Sequence, residues 1–295
     1  MSKLKPIFKW AGGKHRISEW IFDKFPATFT HYWEMFAGGA AVSLYVYEHS
    51  DAQIYLNDAN EDLIYFYEVL KTKQDELLDC IKEIHKIFQS STDKRVSYNY
   101  YRDQFNELDK TNVCRLAIFY FLNKTSFNGL TRYNAKGEFN VPWGQRDFFP
   151  DYEDLINFNK FLNDSRVHLR SSDYLCLLPN DEDMLNHVVY LDPPYHPISV
   201  TSSFTSYHKK WGDENEIELR KFCDRLIKNG VVLFLSNNDV PFIRDLFKGY
   251  IFYTLDVMKS VGAKKETRKK SQEVLITNLD KINKTKQLIP YKKMV

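Results

Sequence analysis

Apolar residues along this chain follow two different periods, and the change of period divides it. Short runs rich in β-branched and aromatic residues predict strands at His31–Phe36, Gln53–Leu56, Val167–Arg170, His187–Leu191, Val231–Leu235, Tyr250–Leu255 and Glu273–Thr277. Helical spacing falls between them. Ile17, Trp20 and Ile21 share a face that ends before Pro26, and Ala37–Val42 opens a second helix. Leu219, Phe222, Cys223, Leu226 and Ile227 mark a third, stopped at Asn229-Gly230, and Pro241–Phe247 a fourth. From Glu61 to about Phe161 the period is helical instead. One stripe carries Leu63, Phe66, Tyr67, Leu70, Leu77, Leu78, Ile81, Ile84 and Phe88; another carries Cys114, Leu116, Ala117, Phe119, Tyr120 and Leu122. The polar stretch Ser90–Tyr101 between the stripes reads as loop. Strand–helix alternation on both sides of a helical block predicts an α/β domain made of residues 1–60 and 162–280. Residues 61–161 form an insertion and 281–295 a tail.

Composition narrows this only a little. The chain has 295 residues, enough for one large domain with an insertion, and 16% of them are aromatic. Net charge is +2, so any nucleic-acid partner has to be met by local patches rather than a global field. Cys80, Cys114, Cys176 and Cys223 are far apart with no C-x-x-C pair, which argues against a zinc site or a disulfide framework. The first residues lack an apolar core of signal-peptide length, and no apolar run reaches about 18 residues. These features predict a soluble, reduced, cytoplasmic chain that does not enter a membrane.

The sharpest chemical signal is Asp192-Pro193-Pro194-Tyr195, directly after the buried strand at His187–Leu191. Two prolines stop the strand and stiffen the turn. A carboxylate, a main-chain carbonyl without a ladder partner and an aromatic face are left at the edge where open α/β sheets bind ligands. Such a set suits an exocyclic amine whose base stacks on the ring; the bland alternative is a strand-ending turn with Asp192 as a cap. Phe8-Lys9-Trp10-Ala11-Gly12-Gly13-Lys14 offers close backbone approach beside a stacking face and a charge, or else is a surface turn. Gly38-Gly39 opens a helix after a strand, and Asp58 ends the next strand about 20 residues on, the spacing of a ribose-binding acid. Asp58 taken alone reads first as the cap of the helix that follows, and it is the matched spacing with the glycines that favours a nucleoside ligand. Asp173 is a further acid at a strand end. Asn134–Gly137, between Leu130–Tyr133 and Glu138–Val141, reads as a hairpin tip. Displayed Asn128 and Arg132 would suit adenine and guanine edges, against a purely structural hairpin. Thr201–Trp211 is hydroxyl-rich, as in loops that order over substrates. Lys259–Lys270 holds six Lys/Arg against Glu266 alone; Lys264, Lys265 and Arg268 within it would suit phosphate, unless the run is only a solvated loop.

Taken in order, F-K-W-A-G-G-K, E-M-F-A-G-G-A, N-D-A-N-E-D-L-I, F-N-G-L-T-R-Y-N-A-K-G-E-F-N-V-P-W-G and D-P-P-Y closely resemble the motifs of Dam-type DNA adenine-N6 methyltransferases (D12 class, alpha group). The likeness spans roughly Pro6 to Asn278. It implies a Rossmann-like catalytic domain that uses S-adenosyl-L-methionine, releases S-adenosyl-L-homocysteine and carries a target-recognition insertion for double-stranded DNA. By this resemblance Trp10, Ala11, Gly12, Gly13, Lys14, Glu34, Phe36, Gly38, Gly39, Asp58, Asp173 and Asp192 bind the cofactor. Asp192, Pro193, Pro194 and Tyr195 are catalytic, and Lys9, Phe127, Asn128, Leu130, Arg132, Asn134 and Pro142 meet DNA. No metal is implied. Lys9 and Arg132 match the positions that read the outer and inner guanines in members specific for GATC. Two departures stand out: Gln145-Arg146-Asp147 where Arg-Tyr-Lys is common, and Met35 for the usual proline. A monomer acting beside a separate restriction endonuclease fits this picture. Related motifs also serve cytosine-N4, RNA and protein-glutamine methylation, and a catalytically silent DNA-binding protein would keep the fold; the matching hairpin and the intact Asp192, Tyr195, Asp58 and Lys14 argue against both.

Overall fold

A computed structural model describes residues 4–177, 184–196, 211–258 and 270–279. In chain order the elements are α1 (Ser18–Phe22), β1 (His31–Glu34), α2 (Ala41–His49), β2 (Gln53–Asn57), α3 (Glu61–Thr72), α4 (Gln74–Ser90), α5 (Lys94–Glu107), α6 (Val113–Thr125) and α7 (Tyr152–Asn163). There follow β3 (Val167–Arg170), β4 (His187–Leu191), α8 (Asp213–Lys228), β5 (Val232–Asn238), α9 (Pro241–Leu246), β6 (Ile251–Met258) and β7 (Lys270–Thr277).

The seven strands form one sheet in the order β3-β2-β1-β4-β5-β7-β6, in which β7 alone runs against its neighbours β5 and β6. This is a Rossmann-like arrangement. The chain builds outward from β1 to β3, then returns to lay β4 on the other side of β1, so the order reverses between β1 and β4. A ligand crevice opens at the carboxyl ends of strands flanking such a reversal. Strands buried on both faces explain the apolar runs: every residue of β4 is buried, with Val188 and Tyr190 entering the core of one face and Val189 and Leu191 the other. The first of these cores continues into α3, α4, α6 and α7 without a break. Phe8 ties the N-terminal segment to it, its ring 4.8 Å from Phe66 and 5.2 Å from Phe119.

Three expectations need correction. Ser90–Tyr101 is not loop, because α5 begins at Lys94. Asp93 caps it by accepting from the Arg95 and Val96 N–H groups, and Tyr98, Tyr101 and Phe105 bury one narrow face. An aromatic stripe this thin inside a polar sequence hides the helical period. The predicted hairpin is present as a turn with isolated bridges at Tyr133–Phe139 and Ser126–Trp143 rather than as two continuous strands. Cys80 and Cys114 form a disulfide, Cα atoms 5.4 Å apart, because α4 packs on α6; linear spacing carries no trace of that contact. Among the described residues no helix is long and apolar enough to cross a membrane.

Candidate active site

Asp192 lies just past the carboxyl end of β4, at the order reversal. Its Oδ2 receives the Lys14 ammonium at 3.0 Å, and Lys14 is only 4% exposed. Its Oδ1 is buried and accepts no hydrogen bond. Burial pushes the Asp192 carboxyl above the usual carboxylate range, against the opposing pull of Lys14. Lys14 also donates to the Gly12 carbonyl and stands 4.9 Å from the Tyr195 ring centroid. The Tyr195 hydroxyl donates to Glu273 Oε2 of β7 at 3.1 Å. The next residue is clamped through its main chain: His196 N–H donates to Asn237 Oδ1 at 3.1 Å, and Asn238 Nδ2 donates to the His196 carbonyl at 2.6 Å. An acceptor, a cation and an aromatic plate are thereby held together over a rigid proline turn.

The other strand ends build the rest of the crevice. Gly38, after β1, has φ +47°, and a Cβ there would fall 2.4 Å from Trp10 Cδ1. Only glycine lets the indole lie on this turn, so the N-terminal motif and the glycine turn form one wall. Asp58 Oδ2 accepts from the Gly38 N–H at 2.9 Å, and Oδ1 from the Asn60 N–H at 2.8 Å. Asp58 therefore holds the glycine turn, and Asn60 is what caps α3, accepting from the Leu63 N–H. Burial raises the Asp58 carboxyl. Glu34 points inward, behind the first turn of α2: it is 3% exposed, and its Oε2 accepts from the Ser43 N–H at 3.0 Å and from the Ser43 hydroxyl. Burial raises its pKa to about 8. Phe36 supplies an aromatic wall with Tyr174 at 5.0 Å and Trp211 at 6.2 Å. Asp173 is exposed and accepts from the Leu175 N–H at 3.0 Å. Ala11, Gly12, Gly13 and the Gly38–Gly39 turn bring main chain to the same edge, Gly12 at φ +78°.

A second surface surrounds the hairpin. Asn123, wholly buried at the end of α6, accepts from the Lys9 N–H at 2.9 Å and donates to the Lys9 carbonyl at 2.8 Å. A Cβ on Gly129 would sit 2.9 Å from Lys9 Cβ, so Lys9 rests directly on this turn. Asn128 adopts φ +56°, a left-handed conformation costly for a residue with a side chain. Beside it Phe127 is 52% exposed, its N–H donating to the Pro142 carbonyl at 2.9 Å. Arg132 is exposed, with Nε donating to Asn140 Oδ1 at 2.9 Å, and Pro142 is exposed as well. Leu130 is half-buried against the core. Asn134 donates to Glu138 and accepts from the Lys136 and Glu138 N–H groups, so its side chain shapes the tip. Arg146 lies close enough to Lys9 to help lower its pKa, after burial. Desolvation, then the charge of Lys9, lowers the half-buried Lys124 to about 8. Lys264, Lys265 and Arg268, and most of the Thr201–Trp211 loop, lie outside the described residues.

The profile of the D12 class N6 adenine-specific DNA methyltransferases matches residues 10–261. The chain belongs to that class. It is 36% identical to the type II methyltransferase M.MjaIII of Methanocaldococcus jannaschii, over 94% of this chain and 99% of that one. It is 31% identical to the type II methyltransferase M1.LlaDCHI of Lactococcus lactis subsp. cremoris, over 93% and 95%. It is 32% identical to a DNA adenine methylase of Escherichia coli, again over 93% and 95%.

The D12 methyltransferases take their methyl group from S-adenosylmethionine, and the crevice fits it. Asp58 can accept hydroxyls on the lone pairs its main-chain donors leave, the glycine turns admit close approach, and the unpaired Asp192 Oδ1 favours a donor beside a cation. Several residues of this machinery escaped the sequence reading. Glu273 sits in an ordinary strand pattern, and Asn237-Asn238 continue a strand expected to end at Leu235. Asn57 donates to the Met35 and Ser172 carbonyls at 3.0 Å each, lacing three strand ends. Asn123 looks like any helix-ending amide. The available signal in each case is a polar residue within or next to an apolar run.

Proposed function

We propose that this D12 enzyme methylates N6 of an adenine turned out of duplex DNA, within GATC. The observation that carries the reading is Asp192, with one oxygen held by Lys14, itself 4.9 Å from the Tyr195 ring centroid, and the other buried and unpaired. An adenine paired inside a duplex cannot reach that edge, so the base has to leave the stack, at a cost of a few kcal/mol. Stacking on Tyr195 recovers part of this. Asp192 and the Pro193 carbonyl each accept one N6 hydrogen, with Pro194 keeping the turn rigid. Those bonds draw the nitrogen towards tetrahedral geometry and free its lone pair to attack, and the methylated nitrogen then gives up one proton through the Asp192 carboxylate to solvent. The cofactor supplies an electrophilic methyl on a sulfonium. Catalysis by the chain's own groups is positioning and electrostatics, with no covalent intermediate.

Trp10, Ala11, Gly12, Gly13, Lys14, Phe36, Gly38, Gly39, Asp58 and Asp173 hold the cofactor in this reading, while Glu34 secures the turn from behind. Residues 1–60 with 162–280 carry the chemistry, 61–161 the recognition, and 281–295 a tail. Lys9 and Arg132 read the two guanines, Phe127, Asn128, Leu130, Asn134 and Pro142 line the surface, and the basic stretch with Lys264, Lys265 and Arg268 meets phosphate. We infer a cytoplasmic monomer whose restriction endonuclease, where one exists, acts separately. Labelled methyl uptake by duplexes with GATC and with each single substitution tests the target. Uptake confined to GATC is expected; equal uptake by substituted sites defeats the assignment.

A further inference from the structure

We propose that Glu273 is a positioning residue for methyl transfer, holding the Tyr195 ring by its hydroxyl so that the extruded base meets a fixed plate. This rests on the reading of Tyr195 as a stacking face. Tyr195 follows two prolines, so its main chain is stiff, and the His196 clamp from Asn237 and Asn238 fixes the chain on its far side. Those contacts leave rotation about the side chain itself undetermined. A second tether at the ring's outer end removes that freedom, and the 3.1 Å bond to Glu273 Oε2 is such a tether. It comes from β7, the reversed strand, where Glu273 pairs with Asn238 on one side and Leu255 on the other. Both anchors of Tyr195 are thus neighbours in the same strand register.

The ladder does not explain why a glutamate stands here. Pairing is made by the main chain, and the following residues, Val274, Leu275 and Ile276, are apolar and buried. A half-buried carboxylate in that run costs desolvation unless it is paired, and its described hydrogen bond is with Tyr195. Burial, then the charges of Asp192 and Glu273, push the phenol well above its usual range, so the hydroxyl stays a neutral donor at any working pH. The carboxylate also draws the phenol proton outward and enriches the ring face. That favours the positive charge developing on the amine, as it already favours the Lys14 ammonium at 4.9 Å.

A double-mutant cycle on the full chain tests this. Glu273→Ala should lower kcat by about tenfold to a hundredfold, the range for a misplaced reacting group, with cofactor affinity unchanged. Glu273→Gln keeps an acceptor and should stay within about threefold of the parent, and it serves if the alanine variant does not fold. With 2-aminopurine at the target position, Glu273→Ala should give brighter fluorescence, because an extruded base that is poorly stacked is poorly quenched. Since Glu273 acts through the hydroxyl, adding Glu273→Ala to Tyr195→Phe should cost nothing further. Losses that multiply in the double variant, a normal kcat in Glu273→Ala, or a Gln variant as poor as Ala would each overturn the inference. A parent enzyme that labels no adenine would overturn the proposed function itself, a result separate from any of these.

Discussion

The sheet edge and the hairpin treat polar groups in opposite ways. At the edge the working groups are buried: Lys14 is 4% exposed, and Asp192 carries a buried oxygen with no partner. At the hairpin Lys9, Phe127, Asn128, Arg132 and Pro142 face outward, and buried polar groups stand behind them. Asn123, fully buried, grips Lys9 from the rear, and the buried Tyr98 donates to the Val141 carbonyl at 2.9 Å. Charge-based chemistry gains from exclusion of water, where each interaction is worth more. Reading a base edge needs exposed donors on a backing that does not yield. One chain meets both demands by changing which side of each element its asparagines and acids occupy.

The contrast can be broken most forcefully at the edge. Asp192→Ala should lower methyl transfer by roughly a thousandfold, while equilibrium dialysis shows cofactor binding within a few-fold of the parent. Turnover above a tenth of the parent, with normal DNA affinity, would remove Asp192 from the chemistry. The next test uses the buried acid behind it. Glu34 has a folded pKa of about 8 against an ordinary 4.5, so the folded chain binds that proton more tightly. Its stabilising effect is complete below the unfolded pKa and is lost as pH rises through the folded one. Denaturant unfolding should therefore show the parent losing stability between those values, at up to about 1.4 kcal/mol per pH unit. Glu34→Gln should be flat by comparison, and parallel profiles would contradict the burial argument.

At the hairpin the expected effects are smaller and divide cleanly. Arg132→Ala should leave the unfolding midpoint unchanged and relax discrimination at one guanine by about 1–3 kcal/mol. Asn123→Ala should do the reverse, losing about 1–3 kcal/mol of stability because it strands the Lys9 main chain. If Arg132→Ala weakens cognate and substituted duplexes equally, the residue is a phosphate anchor and the display argument fails at that position.

Much of this could be read in the sequence where one residue type has one physical use. The strands at Val167–Arg170 and His187–Leu191 stand where the apolar pattern puts them, and the proline pair after Leu191 marks the crevice. Reading failed where a residue type has several uses and only the tertiary neighbour decides. Asp58, taken alone, reads as the cap of α3; the Gly38 N–H, brought over by β1, takes it away, and Asn60 caps the helix instead. Asn134 has the chemistry to meet a base, and it also shapes the tip by accepting from the Lys136 and Glu138 N–H groups, a second use that the sequence does not signal. The strand β5 runs on through Ser236, Asn237 and Asn238 because these polar residues are buried and bonded, which a hydrophobic pattern cannot signal. Cys80 and Cys114 meet only because two helices pack.

The central claim is that the edge beyond β4 delivers a methyl group to an adenine amine. The most direct measurement incubates the enzyme with methyl-labelled S-adenosylmethionine and duplex DNA, digests the DNA to nucleosides and separates them. The account predicts label in N6-methyldeoxyadenosine alone. Label in N4-methyldeoxycytidine, or DNA left unlabelled by a folded enzyme that binds its cofactor, would contradict it.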